Sequence, residues 1–338
     1  GTQESTGVAT LVAGSSNNIT LNTSDNNFAA AVIITSGNNV AVTDEDAIDL
    51  GASTVSGTYA ITAGGAVTDS GALAITGSTT ISASGQAVTL DNTSNNFTGA
   101  VGITGANVAV VDAGAILLGA STVSGTYAVT ATSGGDITDS GVLAITGAST
   151  LTVAGGQSIT LDSSSTFTGT VTFAASSGTL AAVTINDSTA FDLKAMTLTG
   201  NLSVTAGGAV TDSGTLVVPG TATISASGQA VTLDQAASNF GTIAITGANV
   251  AVTDTNALIL GAATVSGTYA VTAGGAITDS GTQEITGATT LVAGSSNNIT
   301  LDYATNNFAA AVIITSGNDV AITDEDAIDL GASTVSGT

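Results

Sequence analysis

Cysteine, histidine, arginine and tryptophan are absent from this chain, and its one basic side chain is Lys194. Without cysteine there is neither a disulfide framework nor a thiol site. Without histidine as well, the Ser-His-Asp and Cys-His nucleophile systems and the usual zinc ligands are excluded. Paired carboxylates remain as a route to glycoside hydrolysis, but an active site would have to survive near-verbatim repetition along the chain. The expectation is a protein that is not an enzyme and requires no cofactor. Glutamate, glutamine and lysine are scarce, which removes the strong helix formers and leaves an all-β reading.

Positive charge is the scarcest commodity: 25 acidic residues stand against one basic residue, for a net charge of −24, while charged residues of both signs make up only 8%. The imbalance therefore reflects missing cations and not an excess of acid. Nucleic acid and anionic membrane surfaces both need cationic partners, so neither is expected. Apolar runs such as residues 28–34 fall far short of the roughly 20 residues of a spanning helix, and no charged leader precedes the first repeat.

What is present is repetition. Residues 281–338 match residues 1–58 closely, with 49 of 58 positions identical at an offset of 280. Within that block the motif GTYAVTAGGAITDSG, at residues 267–281, recurs in variant form at Gly57, Gly125 and Gly200. Long-period self-similarity is the mark of a solenoid or array. The units run over residues 57–124, 125–199, 200–266 and 267–336, preceded by a partial unit over 1–56. They form one continuous segment, 1–338, with no capping domain, and both ends read as interior sequence of an array.

Each unit divides again. The second spans three segments of 20, 22 and 26 residues, each the length of one coil of a parallel β-helix. Apolar residues alternate with Thr, Ser and Ala at period two, as at Tyr59, Ile61 and Ala63, so one face of each strand fills a narrow interior. The fold class is an all-β, parallel β-helix solenoid with about three coils per repeat of ~70 residues, rising ~4.8 Å per coil. At that rise about 14 coils make a rod on the order of 70 Å. Glycine pairs such as Gly64-Gly65 mark corners that need positive φ or close approach. Phe28, Phe97, Phe167, Phe240 and Phe308 recur as core anchors beneath a turn. Residues 173–199 depart most from the pattern and read as an exposed loop insertion, or as a specialised bulge.

Only acids offer chemistry. The segment TDEDAIDLG carries Asp44, Glu45, Asp46 and Asp49 and returns as Asp324, Glu325, Asp326 and Asp329. Crowded carboxylates suit Ca2+, a hard cation taking six to eight oxygens; solvated loop acids are the simpler reading. A second series, Asp69, Asp91 and Asp112, then Asp139 and Asp162, then Asp212, Asp234 and Asp254, recurs at about one coil. It is expected to lie along one edge, either in Asx turns or as a cation-recruiting ladder.

GTYAVTAGGAITDSG, followed by ITGATTLVAGSSNNITLD and NNFAAAVIITSGN, resembles the repeats of filamentous-haemagglutinin-like and autotransporter-type bacterial surface proteins. The resemblance covers essentially the whole chain. It implies a right-handed β-helical stalk at the bacterial cell surface, serving filament, matrix or adhesion scaffolding. The expected partners are other copies of the fibre, laterally or end to end, with glycans or cell surfaces as further partners. A glycan- or calcium-binding adhesin module is the alternative.

Overall fold

The computed structural model describes residues 1–338 and contains 42 β-strands and no helix. The chain forms two compact units, Gly1–Leu180 and Ala181–Thr338. Each is a parallel β-solenoid. In the first, a nine-stranded sheet runs from Ala9–Val12 to Val171–Ala175; in the second, a seven-stranded sheet runs from Phe191–Leu193 to Val312–Ser316.

Every paired strand is parallel and stacks on its counterpart one coil away. In the first unit one column reads Ile48, Val67, Val88, Val108, Tyr127, Ser149, Val171. A second column reads Val40, Tyr59, Thr79, Val101, Leu118. The residues that point inward are buried throughout, from Val32 and Ile34 to Val129 and Leu151. Outward positions hold Thr, Ser and Ala, because a coil this narrow has room inside only for one side chain per column and layer.

The two columns give the exact pitch of the repeat. Tyr59 and Tyr127 occupy the same place in successive units, yet Tyr59 lies in the second column and Tyr127 in the first. From Tyr59 the second column rises through Thr79 and Val101 to Leu118, three coils on. Ser121–Val123 completes that face, stacked on Val101–Gly105, and Tyr127 begins the next face. One repeat is therefore three coils plus one face. The segment read as a single coil of 26 residues is a shorter coil followed by the first face of the next. The second unit repeats the geometry: Leu202, Ala222, Ile243 and Leu260 stack in one column, and Tyr269 lies in another, above Val250.

The five recurrent phenylalanines are core, at 4% exposure or less. So are Tyr59, Tyr127 and Tyr269, whose phenols burial pushes far above their ordinary range. Residues 173–199 are not a loop. Val171–Ala175 closes the nine-stranded sheet of the first unit, while Val183–Asp187, Phe191–Leu193 and Met196–Thr197 are ordinary strands of the second. Phe173, Leu180, Phe191 and Met196 are all buried. The altered composition repacks the interior, with Phe191 where Ile48 and Ile116 stand in other repeats and Met196 where Ser53 and Ser121 stand, and leaves the coil path intact.

The pair Gly64-Gly65 acts through close approach, whereas Gly134 of the equivalent pair Gly134-Gly135 has positive φ and open space around it. Gly64 and Gly65 carry no positive φ; a Cβ on Gly64 would strike the Glu45 carbonyl oxygen, and one on Gly65 would lie 2.6 Å from the Ala47 nitrogen. The corner at Gly77 sits directly on the Gly57 peptide, and a Cβ there would meet the Gly57 carbonyl. Overpacking of this kind costs about 1–3 kcal/mol. Gly77→Ala is therefore expected to lower stability by that amount in denaturant titration, whereas Gly7→Ala, with open space around it, is expected to change it by less than ~0.5 kcal/mol.

Candidate functional site: the acidic corners

Strands ending in Asp build the corners, and they do so in two ways. Asp44, Asp112 and Asp254 are fully buried. One oxygen of each accepts the N–H two residues on, from Asp46 at 3.0 Å, Gly114 at 2.6 Å and Asn256 at 2.7 Å. The other oxygen accepts the backbone N–H of the recurrent phenylalanine in the coil below: Phe28 at 3.1 Å, Phe97 at 2.7 Å and Phe240 at 2.6 Å. The Asx turn and the aromatic anchor are thus one device. Burial outweighs the two backbone hydrogen bonds at Asp112 and Asp254 and holds both carboxyls above the usual range.

Asp69, Asp139, Asp212 and Asp279 form the second device, reaching up to the next coil. Asp69 accepts N–H groups from Asp91 at 3.0 Å and Asn92 at 3.3 Å, and the amide of buried Asn95 at 2.6 Å. Asn95 in turn accepts the Leu73 N–H at 2.8 Å. Asp279 repeats the arrangement with Asp302, Tyr303 and Asn306. Asp139 binds the N–H groups of Asp162 and Ser163, and Asp212 those of Asp234 and Gln235. In those two repeats the hydroxyls of Ser165 and Ser238 accept the Leu143 and Leu216 N–H groups, as Asn95 accepts that of Leu73. The sequence grouped these acids as one series along one edge; the structure separates acids that bind the coil above from those that close a turn and bind the coil below.

Nor do they share one edge of the solenoid. Asp69 ends the strand stacked on Ile48–Leu50, whereas Asp139 stacks on Leu118, one face away. This displacement follows from the extra face in each repeat. Each acidic corner persists for the coils of one repeat and then moves to the next corner.

The eight residues expected to bind a cation are likewise divided. Asp44 lies inside the coil wall. Glu45 and Asp46 are exposed and share the Asn27 amide, at 3.1 and 3.2 Å. Asp49 lies on the next strand beside a cavity of about 150 Å³ walled by Phe28, Ala30 and Ala66, with one carboxylate oxygen buried and unpartnered. In the second copy Glu325 accepts from Asn307 at 3.0 Å, Asp324 accepts the Asp326 N–H at 3.3 Å, and Asp329 is exposed. No three acids are arranged around a common ion position. The arrangement does what a carboxylate acceptor does best, which is to hold N–H groups of two coils at fixed spacing.

Two features escaped the sequence reading. Asn39, Asn107 and Asn249 each accept both the N–H and the hydroxyl of the threonine one coil on, Thr58, Thr126 and Thr268, at 3.0–3.1 Å. The motif glycine beside each threonine packs so closely against the asparagine side-chain oxygen that a Cβ there would displace it from the threonine. The second is an outward hydroxyl column, Thr43, Thr62, Ser82, Thr104 and Thr122, in register over five coils. Its members are separated by about one coil in sequence, where Thr is too common for the spacing to stand out.

Burial raises the carboxyls of Asp69, Asp112, Asp139, Asp212 and Asp254. At Asp192 burial also pushes upward, but the hydrogen bonds and charge of Lys194, with the hydroxyls of Ser213 and Thr211, outweigh it and lower the carboxyl. A group raised in the folded state favours folding when protonated, so its contribution is complete below the unfolded carboxyl range and lost as pH rises through the folded value. With five raised against one lowered, the denaturation midpoint is expected to rise as pH falls from 7 to 4. A falling midpoint over that interval would show that the corner acids are stabilised in their charged form.

A family model described as repeats of unknown function (DUF5649) matches four consecutive stretches, residues 37–104, 105–174, 180–246 and 247–315. No curated protein and no solved structure matches the chain.

Proposed function

The chain belongs to the DUF5649 repeat family, and we propose that it is a structural segment of an extracellular fibre or stalk on a bacterial surface, whose task is length and stiffness in the service of matrix formation or adhesion. The observation that carries this reading is the corner chemistry. The recurrent acids of the Asp69 and Asp112 kinds spend their oxygens on N–H groups of adjoining coils, while Asp91, Asp234 and Asp302 are exposed. A repeat in which recurrent polar side chains bind the next coil is a building element. Length then scales with copy number, as in other solenoids whose units contact only their neighbours.

Three further properties support the reading. Outward positions rich in Thr, Ser and Ala, with acids distributed over successive corners, keep a long array hydrated. A single Lys and no Arg leave one tryptic site, and continuous backbone pairing leaves few segments that open locally. The resemblance to filamentous bacterial surface proteins supports a location outside the cell, with other copies of the fibre as first partners.

Electron microscopy of tandem arrays with increasing repeat number tests the mechanical part: each added repeat should lengthen the particle by about 16 Å, three and a third coils at ~4.8 Å each. Antibodies against the chain are expected to label intact producing cells. Labelling that requires permeabilisation would overturn the assignment to the surface.

A further inference from the structure

One buried polar side chain lies in the core where three equivalent coils have leucine; its counterpart in the first copy, Gln3, is exposed. Gln283 is 0% exposed, and the corresponding residues of the other repeats, Leu73, Leu143 and Leu216, are equally buried. What differs is the coil beneath. Leu73 stacks on Ser53 and Leu143 on Ser121, whereas Gln283 stacks on Ala263. In the serine coils the hydroxyl turns back on its own corner, donating to the Gly51 carbonyl at 2.8 Å and the Gly119 carbonyl at 3.0 Å. It also receives the N–H of Ile34 or Ile103 from the coil below. In the Ala263 coil no hydroxyl exists to do this. The Gln283 amide nitrogen reaches down instead and donates to the Gly261 carbonyl at 2.7 Å, while also holding its own Gly281 carbonyl at 2.8 Å.

The same corner carbonyl is thus satisfied from within its own coil in one case and from the coil above in the other. A third solution, Met196 beneath Leu216, dispenses with the hydroxyl altogether. The Gln283 amide oxygen is itself buried without a partner, so the side chain depends on the two bonds its nitrogen donates, and on a serine coil that nitrogen would have to share the corner carbonyl with the hydroxyl. A leucine coil on the alanine coil leaves the Gly261 carbonyl without the glutamine.

We infer that Gln283 and Ala263 form a register-specifying pair: the glutamine coil selects an alanine-type coil as its lower neighbour and discriminates against the serine-type coils that otherwise look alike. Near-identical repeats need such a device, because their ladders and apolar columns would accept a neighbour shifted by a whole repeat. The pair marks one coil junction as different from its counterparts at Ser53/Leu73 and Ser121/Leu143.

The test is a double-mutant cycle on the full chain, Gln283→Leu, Ala263→Ser and both together, read by thermal unfolding and by hydrogen exchange at the Gly281 and Ile285 amides. Each single variant should lower the midpoint and speed exchange at this junction. The double variant, which recreates the Ser/Leu junction, should recover wild-type midpoint and protection. Recovery distinguishes a matched pair from two residues that merely pack well, since generic packing losses would add. Additive losses in the double variant would overturn the inference, as would a Gln283→Leu variant at least as stable as wild type.

Discussion

The constraint on which the rest depends is the distance between coils. Parallel backbone ladders hold each coil about 4.8 Å above the last, and at a corner, where the chain turns and the ladder lapses, that distance leaves no space for a side chain between layers. Corners must therefore be made of backbone, glycine and short hydrogen-bonding side chains. Gly77 on Gly57 and Gly65 on Ala47 are one answer. Asn39 under Thr58, Asp69 under Asp91 and Asp112 over Phe97 are the other, supplying acceptors for N–H groups that the lapsed ladder would leave bare. A buried N–H without an acceptor is costly enough that each corner carries its own clamp.

The second consequence is geometric. Because a repeat is three coils and one face, each clamp series begins at a new corner when the repeat begins again. The Asp69 and Asp139 corners show this within the first unit. Charge that would otherwise accumulate along one edge is distributed over successive corners, which moderates self-repulsion in a chain with 25 acids and a single lysine. It also means that a surface feature present once per repeat is presented on different faces of the solenoid in turn.

Much of this was legible in the sequence. Period-two alternation identified the strands and their inward residues, and the spacing of near-identical segments identified the coils, because both are direct images of the ladder. Phe97 and Tyr127 could be assigned to the core on pattern alone. The extra face was not legible, since a segment of 26 residues reads equally well as one long coil or as a short coil and a third; only the partner of Val101, Leu118, decides between them. The roles of the acids were hidden for a related reason. Asp69 and Asp112 look alike in sequence, but one binds the coil above and the other the coil below. Residues 173–199 were misjudged because composition changed while the coil path was kept, with buried Phe191 and Met196 replacing smaller side chains.

The extra face is the central structural claim, and the absence of cysteine makes it directly testable. Thr104 stacks on Thr122, and both are accessible from outside. A repeat of three whole coils would instead place Thr104 beneath Thr130, the residue equivalent to Thr62. In the otherwise cysteine-free chain, the pair Thr104→Cys with Thr122→Cys should form a disulfide under mild oxidation, since stacked strands hold their Cα atoms within the span a disulfide bridges. The pair Thr104→Cys with Thr130→Cys should not. Efficient bridging of residues 104 and 130, with none between 104 and 122, would contradict the account.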